Sequence, residues 1–489
     1  MSKDTELSFA SMRERAVFSV LSLLSRQLIM RALSFVGFLT LARFLGPETF
    51  GAFAILQFAT LFLLEMSSFG LPAALMRQKE LVTESQLRVV FTLQTIIIAF
   101  FSGLLALLSS TLVNHFNLPV EAQTGLYWML GALALSSLQT IPKLLLQRQL
   151  RYDVVATIEV LEYLVYLMVA IGLCVLGFGL WALVVATVAR SLVATLCYYK
   201  FRAWRPAFMF DGATLKPLLR FAVPIQSASW VRMANTSLIP VVAGSLAGPQ
   251  LVGNLNFAKT VLASLVGQPL ILMGSLQLRI FGRLQDDADA VARFARTSFL
   301  LGCCLVFFPL CLLASSAEPI IRLAAGEKWL DAAPVLSIMC FGYAFMTITQ
   351  PSTKCLIALG RPWLPFFISL GGVLSALAIT VWGYEALGGL SYAVALAITM
   401  PMSAMITLYY LTRNIAVEWS NVVFGPLVAA LLAGGLLLSV DISSLSLVSQ
   451  GIVLLLAMAL YILSLIATNR RDIYDVVKKI YFVVKARRK

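Results

Sequence analysis

Long apolar stretches recur along this chain so closely that little else fits between them. They lie at about 20–42, 50–71, 89–111, 124–146, 155–176, 180–199, 218–241, 252–274, 297–317, 333–353, 363–384, 389–411, 422–440 and 446–467. Each holds roughly 18–25 residues, which at about 1.5 Å per residue crosses a hydrocarbon core about 30 Å thick. The runs are apolar on every side and do not alternate, so helices, not barrel strands, must do the crossing. With 60% of 489 residues hydrophobic and 12% charged, against about 45–50% and 25% in soluble domains, a soluble enzyme is excluded. The expected fold class is all-α: a polytopic membrane protein of about 14 transmembrane helices. Arg26 and Arg31 interrupt the first run and no small-residue cleavage site follows it, so it reads as a retained helix, not a removed signal peptide.

The net charge of +14 suggests nucleic acid only until its placement is read. With the N-terminus inside, 29 of the 37 Lys and Arg fall in inside segments, and only Arg43, Arg322 and Lys328 fall in outside loops. That asymmetry places both termini in the cytoplasm and needs no nucleic acid. Arg26, Arg31, Arg190, Arg232 and Lys259 remain, all within spans. The seven Cys sit in or beside apolar runs, no CxxC occurs and the lone His is His115. No metal or cofactor is expected; the thiols serve as small apolar fillers. The Asn114-His115-Phe116-Asn117 segment reads as an exposed surface loop.

An internal repeat shows at an offset of 202, where Gly46-Pro47-Glu48-Thr49-Phe50-Gly51 matches Gly248-Pro249-Gln250-Leu251-Val252-Gly253. Glycine permits a tight turn and close backbone approach, and proline opens a helix without a wasted N–H. A second match, at 210, sets Arg151 beside Arg361 and Gly179-Leu180 beside Gly389-Leu390. The expected organisation is a cytoplasmic segment 1–15, an N-lobe 16–200 of helices 1–6, a cytoplasmic linker 201–216 and a C-lobe 217–411 of helices 7–12. Helices 13–14 follow at 412–467, then a cytoplasmic tail 468–489. Repeated membrane halves suit alternating access about a site between them, although a static scaffold allows the same repeat.

An ionised side chain at mid-membrane costs about 2.5–3.5 kcal/mol, so such residues imply an interior polar surface or partners. Arg26 and Arg31 stand about 140° apart around one helix and border one broad cavity. Arg31 lies 15 residues before Gly46 and Arg232 lies 16 before Gly248, so each half offers a cation at similar depth. Arg31, Arg232, Arg26 and Lys259, with the amides Asn235 and Asn256, form the candidate substrate-binding set. Arginine forks favour an anionic cargo, and a pyrophosphate joined to lipid and sugar fits: phosphate on arginine, sugar in a polar chamber, chain between helices. The competing reading is snorkelling, or neutralisation by Glu65, Glu159 or Glu162. These three carboxylates are candidates for ion pairing or coupling; Glu159 and Glu162, at i and i+3, face one direction. Asn235 and Asn256 equally suit helix-to-helix hydrogen bonds. In the tail, Ile473, Val476, Val477, Ile480, Tyr481 and Val484 recur at helical spacing among basic residues, which suits anionic membrane lipid.

An ordered series of motifs then resembles one family. Leu41-Ala42-Arg43-Phe44-Leu45-Gly46-Pro47-Glu48-Thr49-Phe50-Gly51 and Phe69-Gly70-Leu71-Pro72-Ala73-Ala74-Leu75-Met76-Arg77-Gln78-Lys79-Glu80 lead. Gly177-Phe178-Gly179-Leu180-Trp181-Ala182-Leu183, Leu219-Arg220-Phe221-Ala222-Val223-Pro224 and Leu284-Gln285-Asp286-Asp287 follow. Gly326-Glu327-Lys328-Trp329, Ala332-Ala333-Pro334 and Ala358-Leu359-Gly360-Arg361-Pro362 complete the series. Over residues 16–465 the chain resembles the polysaccharide biosynthesis/export flippases, the polysaccharide branch of the multidrug/oligosaccharidyl-lipid/polysaccharide exporter superfamily. The resemblance implies a V-shaped pair of six-helix lobes with two added helices. It further implies translocation of undecaprenyl-pyrophosphate-linked oligosaccharide across the bacterial cytoplasmic (inner) membrane for surface polysaccharide synthesis, beside polysaccharide polymerase and chain-length machinery. Arg26 or Arg31, with Arg232, are the positions matching the related flippases' head-group arginines. Where many members carry an Asp in the seventh helix, this chain has Asn235-Thr236, so no ion-coupling mechanism carries over there. Other readings are a cation-coupled multidrug exporter of the same fold, for which intramembrane carboxylates are the signature, a glycan polymerase or ligase, which needs a larger outside loop, and a non-transporting envelope component.

Overall fold

The computed structural model describes residues 30, 32–78, 82–149, 151–202, 204–233, 239–285, 287–413, 415, 419–440, 449 and 452–468. Among them there is no strand. The first half supplies α1 (Ala32–Phe44), α2 (Pro47–Ser68), α3 (Leu71–Arg77), α4 (Glu84–Leu107), α5 (Ser109–His115), α6 (Glu121–Arg148), α7 (Tyr152–Val175) and α8 (Leu180–Phe201). The second supplies α9 (Gly212–Met233), α10 (Ile239–Ala247), α11 (Pro249–Leu262), α12 (Gln268–Leu284), α13 (Ala288–Ser315), α14 (Ala317–Ala324), α15 (Ala332–Ala344), α16 (Met346–Ala358), α17 (Trp363–Trp382), α18 (Tyr384–Leu387) and α19 (Ser391–Thr412). Two more follow, α20 (Trp419–Ser439) and α21 (Ile452–Thr468). Among the described residues nine helices are long and apolar enough to cross a membrane, or up to ten when a bent pair counts as one.

Local chemistry explains the boundaries. Pro47 and Pro249 open α2 and α11, where a missing N–H costs nothing. Thr83 and Gln86 form a capping box at the start of α4. The run at 252–274 extends to Leu284 and is not one straight rod: Ala263–Gly267 forms a π turn, and Pro269 withholds an N–H just beyond it, so the axis bends by 42°. The segment holding His115 closes a short helix, α5, and is not a simple loop; His115 itself is exposed. Phe69 and Gly70 take consecutive left-handed conformations, which turn the chain sharply from α2 into α3.

The repeat is visible in backbone detail. The N–H of Arg151 bonds the Leu146 carbonyl at 3.0 Å, and 210 residues later the N–H of Arg361 bonds the Leu356 carbonyl at 2.9 Å. In the first half α2 packs on α4, α6 and α8, and α7 on α8; in the second α11 packs on α15, α13 on α15 and α16, and α17 on α19. The two Gly-Pro motifs themselves meet where α2 crosses α11. A Cβ on Gly51 would fall on the Pro249 carbonyl oxygen, and one on Gly253 would fall on the Pro47 carbonyl oxygen. This reciprocal pattern is what a two-fold relation generates, and small residues at the crossing let the backbones touch.

Aromatic side chains lock the same end. Trp329 is fully buried, stacks on Phe257 at 4.7 Å and meets Phe50 edge-on at 5.4 Å. Its indole N–H donates to the carbonyls of Ala42 (2.8 Å) and Leu45 (3.2 Å), the otherwise orphaned end of α1. Lys328 Nζ donates to the Arg43 carbonyl at 2.8 Å, and Arg43 to the Leu323 carbonyl at 2.6 Å. Burial, then the neighbouring Arg43 charge, holds the Lys328 ammonium below its ordinary range. At the opposite end α3 packs on α9: Phe69 meets Trp230 at 6.0 Å, and Gly70 lies against the Ala222 carbonyl. The added pair rests on α13, where Cys311 lies against Ala430 and Gly434 and Tyr461 donates to the Cys304 carbonyl at 3.1 Å. All seven thiols are free.

Candidate functional site

Three helices of the first half carry polar groups on a single stripe each. On α6, Ser136, Gln139, Thr140, Lys143 and Gln147 recur at three- and four-residue steps; on α8, Thr187, Arg190, Ser191 and Tyr198 fall at spacings of three, four and seven; on α2, Gln57 and Thr60, then Glu65 and Ser68, pair at three. Packing of α2 and α8 against α6 turns these stripes toward one another, and they line a cavity of about 570 Å³ together with Gln94 of α4 and Glu162 of α7. Most of the lining lies in the helix halves away from the Gly51–Gly253 crossing, and Met129, Ala132, Leu133 and Thr187 extend it back toward mid-helix.

The cations of the chamber are held by carboxylates of α7. Arg190 Nη2 contacts Glu162 Oε1 at 2.6 Å and its Nε contacts the same oxygen at 3.2 Å. Lys143 Nζ contacts Glu159 Oε1 at 3.0 Å. Glu162 is largely buried, its side chain 12% exposed, while Arg190 keeps 44% and Lys143 39%, so both cations still face the space beside their partners. The uncharged groups form a denser net. Gln139 donates to the Ser191 carbonyl and to Thr195 Oγ1, both at 2.9 Å, and Gln94 donates to Thr140 Oγ1 at 3.1 Å. An arrangement of amides, hydroxyls and balanced charges binds a polar solute by hydrogen bonds without a fixed net charge of its own.

The residues expected from sequence are distributed differently. Glu65 and Glu162 line the chamber and Glu159 pairs beside it. Glu159 pairs with Lys143 and Glu162 with Arg190. Lys143 lies near the C-terminal end of α6, which continues to Arg148. Lys259 and Asn256 stand on α11, away from this chamber; the Lys259 ammonium lies 6.0 Å from the centre of the Tyr392 ring. Asn256 accepts Thr260 through its carbonyl at 2.7 Å. Gln226 of α9 donates to the Glu65 carbonyl at 3.0 Å, so it serves a contact between helices. Arg26, Arg31 and Asn235 lie outside the described residues, and Arg232 is described only as backbone within α9. Sequence reasoning centred on charge missed Gln94, Gln139 and Tyr198; the signal available was the helical spacing of polar residues within α6 and α8. Among the described residues no three His, Cys, Asp or Glu come close enough to hold a metal.

A second cavity of about 360 Å³ is wholly apolar and lies between α1, α11, α13, α14 and α15, with Phe35, Leu39, Phe257, Phe308 and Ile321 in its wall.

Known proteins match this architecture. The chain is 23% identical over 312 residues to the teichuronic acid biosynthesis protein TuaB of Bacillus subtilis, covering 61% of this chain and 63% of that protein, slightly under two thirds of its length. It is 21% identical over 417 residues to the lipopolysaccharide biosynthesis protein WzxC of Escherichia coli, covering 83% and 82%. The fold matches the lipid II flippase MurJ in an inward closed conformation with a TM-score of 0.73 at 15% identity, over 94% of this chain and 100% of that one. Residues 40–334, which run from the end of α1 through the aromatic lock to the start of α15 and enclose the polar chamber, match the family model described as polysaccharide biosynthesis protein. With more than half its length matched and the ordered motifs placed at the turns and crossings that build the fold, the chain belongs to the polysaccharide biosynthesis protein family.

Proposed function

We propose that this protein is a flippase that moves a lipid-pyrophosphate-linked oligosaccharide across the bacterial cytoplasmic membrane by alternating access, for surface polysaccharide synthesis. The observation that carries the reading is the reciprocal crossing of Gly51 and Gly253, which joins two repeated helix groups at one end, while the first group encloses a polar chamber of its own. Two similar bodies hinged about such a contact expose a site between them to each side in turn. In this reading residues 16–200 and 217–411 are the moving lobes, both termini and the basic tail are cytoplasmic, and the aromatic lock closes the outer side. Arg31 and Arg232 meet the pyrophosphate, with Arg26 and Lys259 adding positive charge, and the prenyl chain stays among the helices. The relatives named for teichuronic acid and lipopolysaccharide synthesis, and the fold shared with a lipid II flippase, support a polyprenyl carrier such as undecaprenyl pyrophosphate as the lipid part and polymerase and chain-length machinery as neighbours.

A second reading, a cation-coupled drug exporter of the same fold, draws on Glu65 and Glu162 in the chamber wall. Proteoliposomes separate the two. Fluorescent lipid-pyrophosphate-oligosaccharide, a cationic drug and an uncharged glycolipid are offered in turn, and leaflet exchange is measured. Exchange of the first alone supports the flippase; movement of the drug alone replaces it with the exporter.

A further inference from the structure

Most of the polar chamber wall is uncharged. Of its 23 lining residues, eleven are amides or hydroxyls, and the four charged ones, Glu65, Lys143, Glu162 and Arg190, balance in sign. A surface of this kind suits a neutral polyol better than an anion, because each sugar hydroxyl both donates and accepts. Two wall groups stand out. Tyr198 is 1% exposed and Gln94 2%, and among the described residues the Tyr198 hydroxyl and the Gln94 carbonyl oxygen have no hydrogen-bond partner. Buried polar atoms are nearly always paired, so two orphans in the wall of one polar cavity mark where an external donor or acceptor fits. The cavity volume of about 570 Å³ falls within the roughly 300–1,000 Å³ of small-ligand pockets.

The geometry points to this chamber as the seat of the sugar portion of the cargo, with Tyr198 and Gln94 as glycan-contacting residues that set its specificity. The inference rests on the flippase reading for the nature of the cargo and adds to it which part of that cargo the first helix group holds. The pyrophosphate is left to the other cations, because Lys143 and Arg190 are engaged by Glu159 and Glu162. Tyr198→Phe is a clean probe: it removes only a hydroxyl that the fold itself leaves unbonded, so folding is unharmed while an acceptor for sugar is lost.

The test uses the purified full chain and lipid-pyrophosphate carriers bearing a trisaccharide of glucose, galactose or N-acetylglucosamine, or no sugar. The expected result is that at least one glycosylated carrier binds tenfold or more tighter than the bare carrier. Tyr198→Phe and Gln94→Leu should erase that increment without weakening bare-carrier binding, and Tyr198→Phe should melt no lower than the parent. No increment for any of the three glycans, or an increment retained in both variants, overturns the assignment. Leaflet exchange measured on the same proteins separates the two readings. An increment that both variants erase, in a protein that moves no carrier, keeps the sugar site and removes the flippase. Carrier exchange with the increment intact in both variants keeps the flippase and removes the sugar site.

Discussion

The indole N–H of Trp329 lies 2.8 Å from the carbonyl oxygen of Ala42, tying together positions 287 residues apart in the chain. The bond caps the end of α1 with a side chain from the opposite helix group, in a site that excludes water. Opening of this end must break it.

Trp329→Phe keeps an aromatic ring against Phe257 but deletes the donor. Leaving the Ala42 and Leu45 carbonyls without it costs about 1–3 kcal/mol, so the open form should gain roughly five- to 150-fold in population. Spin labels at Glu48→Cys and Glu327→Cys, both exposed positions, should report a longer distance in the variant. An unchanged distance distribution would show that the indole bond does not hold this end.

Gly51→Ala and Gly253→Ala should be damaging to a similar degree, because each added methyl strikes a backbone carbonyl of the partner motif, which cannot swing aside. About 3 kcal/mol is expected for each. Gly46→Ala is the control: its φ of −88° suits any residue and a Cβ there meets nothing within 4 Å. Melting in detergent should rank Gly46→Ala near the parent and the other two well below it.

Arg190 and Glu162 should couple more strongly than Lys143 and Glu159, since Glu162 is largely buried whereas the other three side chains are about 40% exposed. Double-mutant cycles with glutamine should yield about 1 kcal/mol for the first pair and a few tenths for the second. Equal coupling in the two pairs would mean that burial of Glu162 adds nothing.

Replacing Arg31 and Arg232 together with alanine should abolish carrier translocation at normal membrane abundance, if these cations meet the pyrophosphate. Full translocation by the double variant removes them from the mechanism.

Topology is open to labelling in a background stripped of native cysteines. His115→Cys should react with a membrane-impermeant maleimide in intact cells, and Arg151→Cys only after permeabilisation, both positions being exposed. The reverse pattern inverts the orientation.

Much of this molecule was legible in the chain alone. Apolar length marks a membrane helix because lipid offers the backbone no partner. Repetition was readable too, since the same Gly-Pro turn serves twice: Pro47 and Pro249 open helices for a reason that involves no distant residue. The polar chamber was not legible, because single charges draw attention while its wall is built from ordinary glutamines, serines and threonines whose meaning depends on neighbours. Only tertiary packing decided that α2, α6 and α8 turn their polar stripes to one space, that Glu159 and Glu162 take Lys143 and Arg190, and that Gly51 and Gly253 lie on each other's partner motif. Periodicity along one helix states which residues share a face; which helix that face meets depends on contacts among residues far apart in the chain.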